Sequence, residues 1–206
     1  MSRKGAWGIG MSESAALVEE FPEKARHEGE SGFTPKIYSP GECLTVDRPL
    51  LRTALHPDNI KRFWGDVDPR IHHFKVEGDD LETVQYRIFG WNSPDQKDLL
   101  DHEVVVERMA REGGDNPWLP ANFEHLVTYG HNMSVSELRN IVLAPGALTT
   151  VHQPARPLRS GELGESTNEL CVAYILGGGS FKMLRVAHSI GRFPKSFQFL
   201  GIRRLC

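Results

Sequence analysis

The sequence predicts an α+β protein with two helices, small twisted antiparallel sheets and long irregular loops, on three observations. Two central stretches carry apolar residues at helical spacing. Beyond Gly130 the pattern changes to short segments punctuated by Pro145-Gly146, Pro154, Pro157, Gly161, Gly164 and Gly177-Gly178-Gly179, as short strands joined by loops require. A chain of 206 residues with 39% hydrophobic content is long enough for one sizeable core.

Residues 1–40 mix a short helical pattern, Ser14 to Glu20, with Gly, Pro and charge, which predicts a partly ordered N-terminal arm ahead of a domain over 41–206. Leu81 to Trp91 sets Val84, Tyr86, Ile88 and Phe89 in imperfect alternation, compatible with a strand or with a turn of helix entering a loop. Asp98 to Arg111 carries an apolar stripe of Leu99, Val105, Val106 and Met109 among Glu103, Glu107 and Arg108, and Gly113-Gly114 stops the helix. A second helix is expected over Ala121 to Tyr129, where Phe123, Leu126 and Val127 share a face after Pro120. Glu169 to Leu176 alternates as a strand, with Ser196 to Arg203 as its terminal partner.

Charge is distributed unevenly. Leu170 to Cys206 holds no Asp or Glu but has Lys182, Arg185, Arg192, Lys195, Arg203 and Arg204; removing these six from 24 basic residues leaves 18 against 27 acidic, net −9, for residues 1–169. Such asymmetry means either an anionic partner for the basic end or an internal clasp between the two parts. The overall pI near 6.3 disfavours nucleic acid as that partner. No window approaches the roughly 20 apolar residues of a membrane span, and the start MSRKGAWGIG lacks a signal-peptide apolar run, so no membrane partner and a cytoplasmic or virion-associated location are expected. Cys43, Cys171 and Cys206 form no C-x-x-C pair, and the nine histidines include no H-E-x-x-H frame, so no metal or cofactor is expected.

Five short motifs in order carry a resemblance. WLPANFEHLVTYG (Trp118–Gly130) offers Leu119, Pro120 and Glu124; GELGESTNEL (Gly161–Leu170) offers Gly161, Leu163, Asn168 and Glu169; YILGGGSF offers Gly178, Gly179, Ser180 and Phe181. Arg185 with Ala187, and Gly201 with Arg203, supply the last two. Together, over roughly residues 80 to 206, the chain resembles the formylglycine-generating-enzyme type of C-type lectin fold. The resemblance implies structural roles for these matched residues. Members that oxidise a substrate cysteine use two nearby cysteines after the glycine-rich motif, whereas this chain has none between Cys171 and Cys206. The sulfoxide-forming iron members need three histidines, for which His125, His131 and His188 are the available set. A cupin-like metal enzyme is a further alternative, since Gly146 to His152 and Glu169 to Gly179 echo that family without its paired H-x-H.

What the resemblance leaves is a non-enzymatic binding module, similar to the variable proteins of diversity-generating retroelements, which display changeable side chains on a rigid scaffold to capture a protein or cell-surface ligand. The expected ligand-binding residues are Lys182, Met183, Leu184, His188, Ile190, Arg192, Phe193, Lys195, Ser196, Phe197 and Gln198. Displayed residues of this set should tolerate substitution, while Gly179, Phe181 and Arg185 should not.

Overall fold

The computed structural model describes residues 42–90, 99–153, 166–188, 192–194 and 197–204. All lie in the second, Ile37–Cys206, of two units into which the chain divides. The expected arm with Ser14 to Glu20, the Gly161 and Leu163 positions, Ile190, Lys195 and Ser196 fall outside the described residues.

Strand β1 (Cys43–Asp47) ends on a residue that starts the next element. The Asp47 carboxylate accepts the Leu50 N–H at 2.9 Å and Pro49 fills the first turn of α1 (Arg48–Leu55). His56 caps α2 (Pro57–Phe63), with Asp58 in its first turn and Lys61 and Arg62 in its last. After β2 (Asp66–Val67), Asp68 caps a 3₁₀ turn, Pro69–His73. The ambiguous stretch forms a strand, β3 (Leu81–Gly90). Residues 99–101 form β4 (Leu99–Asp101), so α3 is shorter than expected, His102–Arg111, and buries Val105 and Met109. Following β5 (Leu119–Pro120), α4 (Phe123–Asn132) starts two residues late because Asn122 caps it, accepting the His125 N–H at 3.1 Å. The remaining strands are β6 (Val142–Gln153), β7 (Thr167–Gly178), β8 (Phe181–His188), β9 (Arg192–Pro194) and β10 (Gln198–Arg204).

The mixed α+β class holds, but three details of the expectation do not. The described residues contain four α-helices where two were expected, and in place of small sheets there is one large open sheet, with β4 and β9 paired apart from it. The sheet runs β1-β3-β10-β6-β7-β8-β2, with β5 added on β10. β10 is antiparallel to β3 and parallel to β6, so the terminal strand is not the partner of β7 that the sequence predicts; β7 pairs with β6 and β8 instead. The β7–β8 hairpin closes through a two-residue turn whose first residue, Gly179, has φ 60°, which only glycine adopts without strain. Among the described residues no helix is long and apolar enough to cross a membrane.

Each face of the sheet has its own core. On one face Leu44, Val46, Val84, Ile175, Leu184 and Leu200 pack under Trp64, Leu126 and Tyr129. On the other, Phe89, Leu143, Val172 and Phe199 pack with Val105, Met109, Trp118, Phe193 and Phe197. Helix α4 lies against β1, β6 and β7, and all its residues from Phe123 to Gly130 are buried. β6 breaks register between Leu143 and Leu148, at Pro145-Gly146. There Gly146 donates its N–H to the Ala121 carbonyl at 2.8 Å, and a Cβ on Gly146 would lie as close to that oxygen. The bulge thus anchors β6 at the start of α4.

Candidate functional site

The expected display segment is largely structural. Leu184, Phe193 and Phe197 are 0%, 2% and 7% exposed, so the reading of these three as displayed ligand-binding residues is wrong: alternation in β8 turns Leu184 into one core, and Phe193 and Phe197 fill the other. Lys182 is not a free surface cation either. Its Nζ donates to the Gly130 and His131 carbonyls at 2.9 and 3.0 Å, capping α4, and burial pulls its ammonium below the usual range. Met183 folds onto Gly178. Gln198 is half-buried, while Arg192 and His188 stay exposed and pair with Asp101 (2.8 Å) and Glu169 (2.5 Å).

Most of the expected structural residues are built into the fold. Leu119 and Pro120 pair with Ile202 and Gly201. Arg203 stacks over Trp118 at 4.3 Å, and Arg185 pairs with Asp66, tying β8 to β2. Asn168 meets His152 at 3.1 Å. Phe181 is 42% exposed but lies directly over Gly65. The acid-free tail is therefore an internal clasp where it is described: Arg185, Arg192 and Arg204 face Asp66, Asp101 and Glu82. The three histidines proposed as an iron face do not converge, because His125 and His131 occupy opposite ends of α4 and His188 is held on Glu169. Among the described residues no three His, Cys, Asp or Glu side chains form a group able to hold a metal.

A buried charge network lies where α1, β3 and α4 meet. Arg48 donates from Nε to Glu124 at 2.8 Å and from its terminal nitrogen to Glu82 at 2.6 Å; Glu124 also accepts the Glu77 N–H at 2.9 Å. Desolvation works against the Arg48 charge, yet the two carboxylates outweigh it and raise its pKa. His125 turns Nδ1 to Asn122, which leaves Nε2 buried with no hydrogen bond among the described residues, 3.9 Å from Glu82. Desolvation holds this imidazole below its ordinary pKa, against the pull of Glu82 and Glu124.

A pH dependence follows. Because the folded His125 binds its proton less readily than the unfolded one, the unfolded state takes up more protons as pH falls; the stability contribution is complete above about pH 6.5 and declines as pH drops toward the folded pKa. His131, lowered by desolvation and by Lys182, acts in the same direction. Tm should therefore fall between about pH 7.5 and 5.5, and His125→Gln should flatten that slope. An unchanged slope in the variant would show that His125 does not titrate on unfolding.

Two clefts flank residues 73–77. One, about 690 Å³, lies between α1, α2 and the segment from β2 to Glu77, with Leu55, Ile60, Val67, Ile71, Phe74 and Val76 among its lining residues and Arg52, His56, Lys61, His72 and Lys75 bringing basic groups to it. The other, about 530 Å³, is polar; Arg48, His73, Asn122, Glu124 and Thr149 contribute to it, beside the Gly146 bulge. Phe74, Lys75 and Glu77 line both. None of these cleft residues was expected to bind a ligand; Glu124 was expected in a structural role, and Thr149 lies in the Gly146 to His152 stretch of the cupin-like alternative. The signal available was the pair of helix starts, Asp47-Arg48-Pro49 and His56-Pro57-Asp58, which place the cleft walls. No family model matches the chain, and no curated protein and no solved structure shows significant similarity to it.

Proposed function

We propose that the Ile37–Cys206 unit is a ligand-binding module whose site is the apolar cleft beside α1 and α2. One observation carries this reading: a cleft of about 690 Å³ with an apolar lining and a few polar groups, the size and character of a small-molecule site. Among the described residues its lining contains no Ser, Thr or Cys, so no hydroxyl or thiol nucleophile stands beside a base there. This keeps the binding class expected from the sequence and moves the site away from Lys182 to Gln198. It stands on the cleft alone and requires neither a lectin-type scaffold nor a diversified segment.

Titration with Nile red, an uncharged apolar dye, tests it. Binding is expected to shift the emission to the blue and saturate at one dye per chain. Val76→Trp, which fills the cleft from a half-buried position, should weaken it about tenfold or more while leaving Tm close to that of the parent. Dye binding that is absent, or indifferent to this substitution in a folded variant, would sink the proposal.

A further inference from the structure

Resting on that reading of the cleft, we infer that its ligand is a monoanionic amphiphile, with the apolar part between α2 and the 3₁₀ turn and a carboxylate-like head on Lys75. The basic groups around the cleft are not equivalent. Arg52 is taken by Asp79 and the Gly78 carbonyl, and His56 faces Asp58 at 3.4 Å. Asp68, a buried carboxylate in the cleft lining, is itself matched by Arg70 at 2.7 Å, whose hydrogen bonds lower its pKa despite desolvation. Lys61 and Lys75 have no carboxylate partner among the described residues. An apolar cation would meet a basic rim, and an uncharged ligand would leave both ammonium groups as they are; an anion gains from them.

Position separates the two lysines. Lys75 lines both clefts, at the boundary between apolar and polar walls, whereas Lys61 lines only the apolar one. With its tail among Ile60, Ile71 and Phe74, the ligand sets its head at the wall the two clefts share, to which Lys75 contributes. Glu77 on the same shared wall limits the charge the head can carry, since a second negative charge would meet its carboxylate. Arg48 adds nothing further, because Glu82 and Glu124 already hold it.

The probes are dodecanoate, dodecan-1-ol and acetate, below micellar concentration, each displacing Nile red from the full chain. Dodecanoate is expected to bind about tenfold or more tighter than the alcohol, acetate is expected not to compete, and the acid preference should shrink as salt is raised. In Lys75→Met the acid-to-alcohol ratio should fall to about one, with a smaller change in Lys61→Met. Equal affinities for acid and alcohol in the parent chain would overturn the inference while leaving the cleft reading intact. A preference lost in Lys61→Met but kept in Lys75→Met would overturn the placement of the head. Failure of Nile red and both C12 probes to bind would overturn the cleft reading and this inference together.

Discussion

Phe193→Ala is expected to destabilise the protein by about 3–5 kcal/mol, because the ring is 2% exposed and packs against Phe199 at 5.7 Å and His102 at 6.0 Å. For a unit of this size that is a fall in Tm of roughly 10 °C. Its neighbour gives the control. The Arg192 side chain is 61% exposed and its pair with Asp101 lies at the surface, so Arg192→Ala should stay within about 0.5 kcal/mol. Thermal melts of the two variants separate a core strand from a displayed loop: similar small losses at both would restore the display reading of this segment.

Arg48→Met should cost a comparable amount, about 3–5 kcal/mol, by a different route. Removing the cation leaves Glu124, with a side chain 6% exposed, and Glu82, 22% exposed, without their partner. Desolvated carboxylates unmatched by charge are far costlier than the ion pair is favourable. Glu124→Gln in the Arg48→Met background should therefore recover stability, giving a coupling of about 0.5–3 kcal/mol in a double-mutant cycle. Arg48→Lys should not rescue fully, since one ammonium cannot reach both carboxylates as the guanidinium does. Additive losses in the cycle, measured by urea denaturation, would show that the network is not one unit.

What could be read from the sequence follows from the range of the signals. Helices α3 and α4 declared themselves because ten residues are enough to show a stripe, and Gly113-Gly114 and Asn122 mark an end and a start. Helices α1 and α2, of eight and seven residues, are too short for periodicity, and only their caps and prolines were available. β6 was hidden for the opposite reason. Pro145-Gly146 reads as a break, yet it is a bulge inside a twelve-residue strand, with the Pro145 carbonyl accepting from His102 at 2.9 Å and the Gly146 N–H donating to Ala121.

The basic tail shows a different limit. Absence of acids between Leu170 and Cys206 is a local fact, whereas the partners of Arg185 and Arg192 are 119 and 91 residues away, so composition could not choose between a clasp and an external partner. Its interleaved phenylalanines were read as display for the same reason: the surfaces that bury them, α3 and Trp118, come from elsewhere in the chain. The cleft was legible only through the caps and prolines of α1 and α2, because its walls come from the two helices that periodicity missed.

The place of β10 has a bearing on how the protein is made. The β1–β3 pair and the β6–β7–β8 meander join edge to edge only through β10, which pairs with Phe89 on one side and Leu143 on the other at Phe199. During synthesis both halves leave the ribosome with an unpaired inner edge, and neither can close until residues 198–204 have emerged. Pairing at such sequence separation folds slowly, and the waiting edges are open to other chains. Translation stalled before residue 198 should therefore leave chains that chaperones hold and proteases cut, however well the earlier helices have formed.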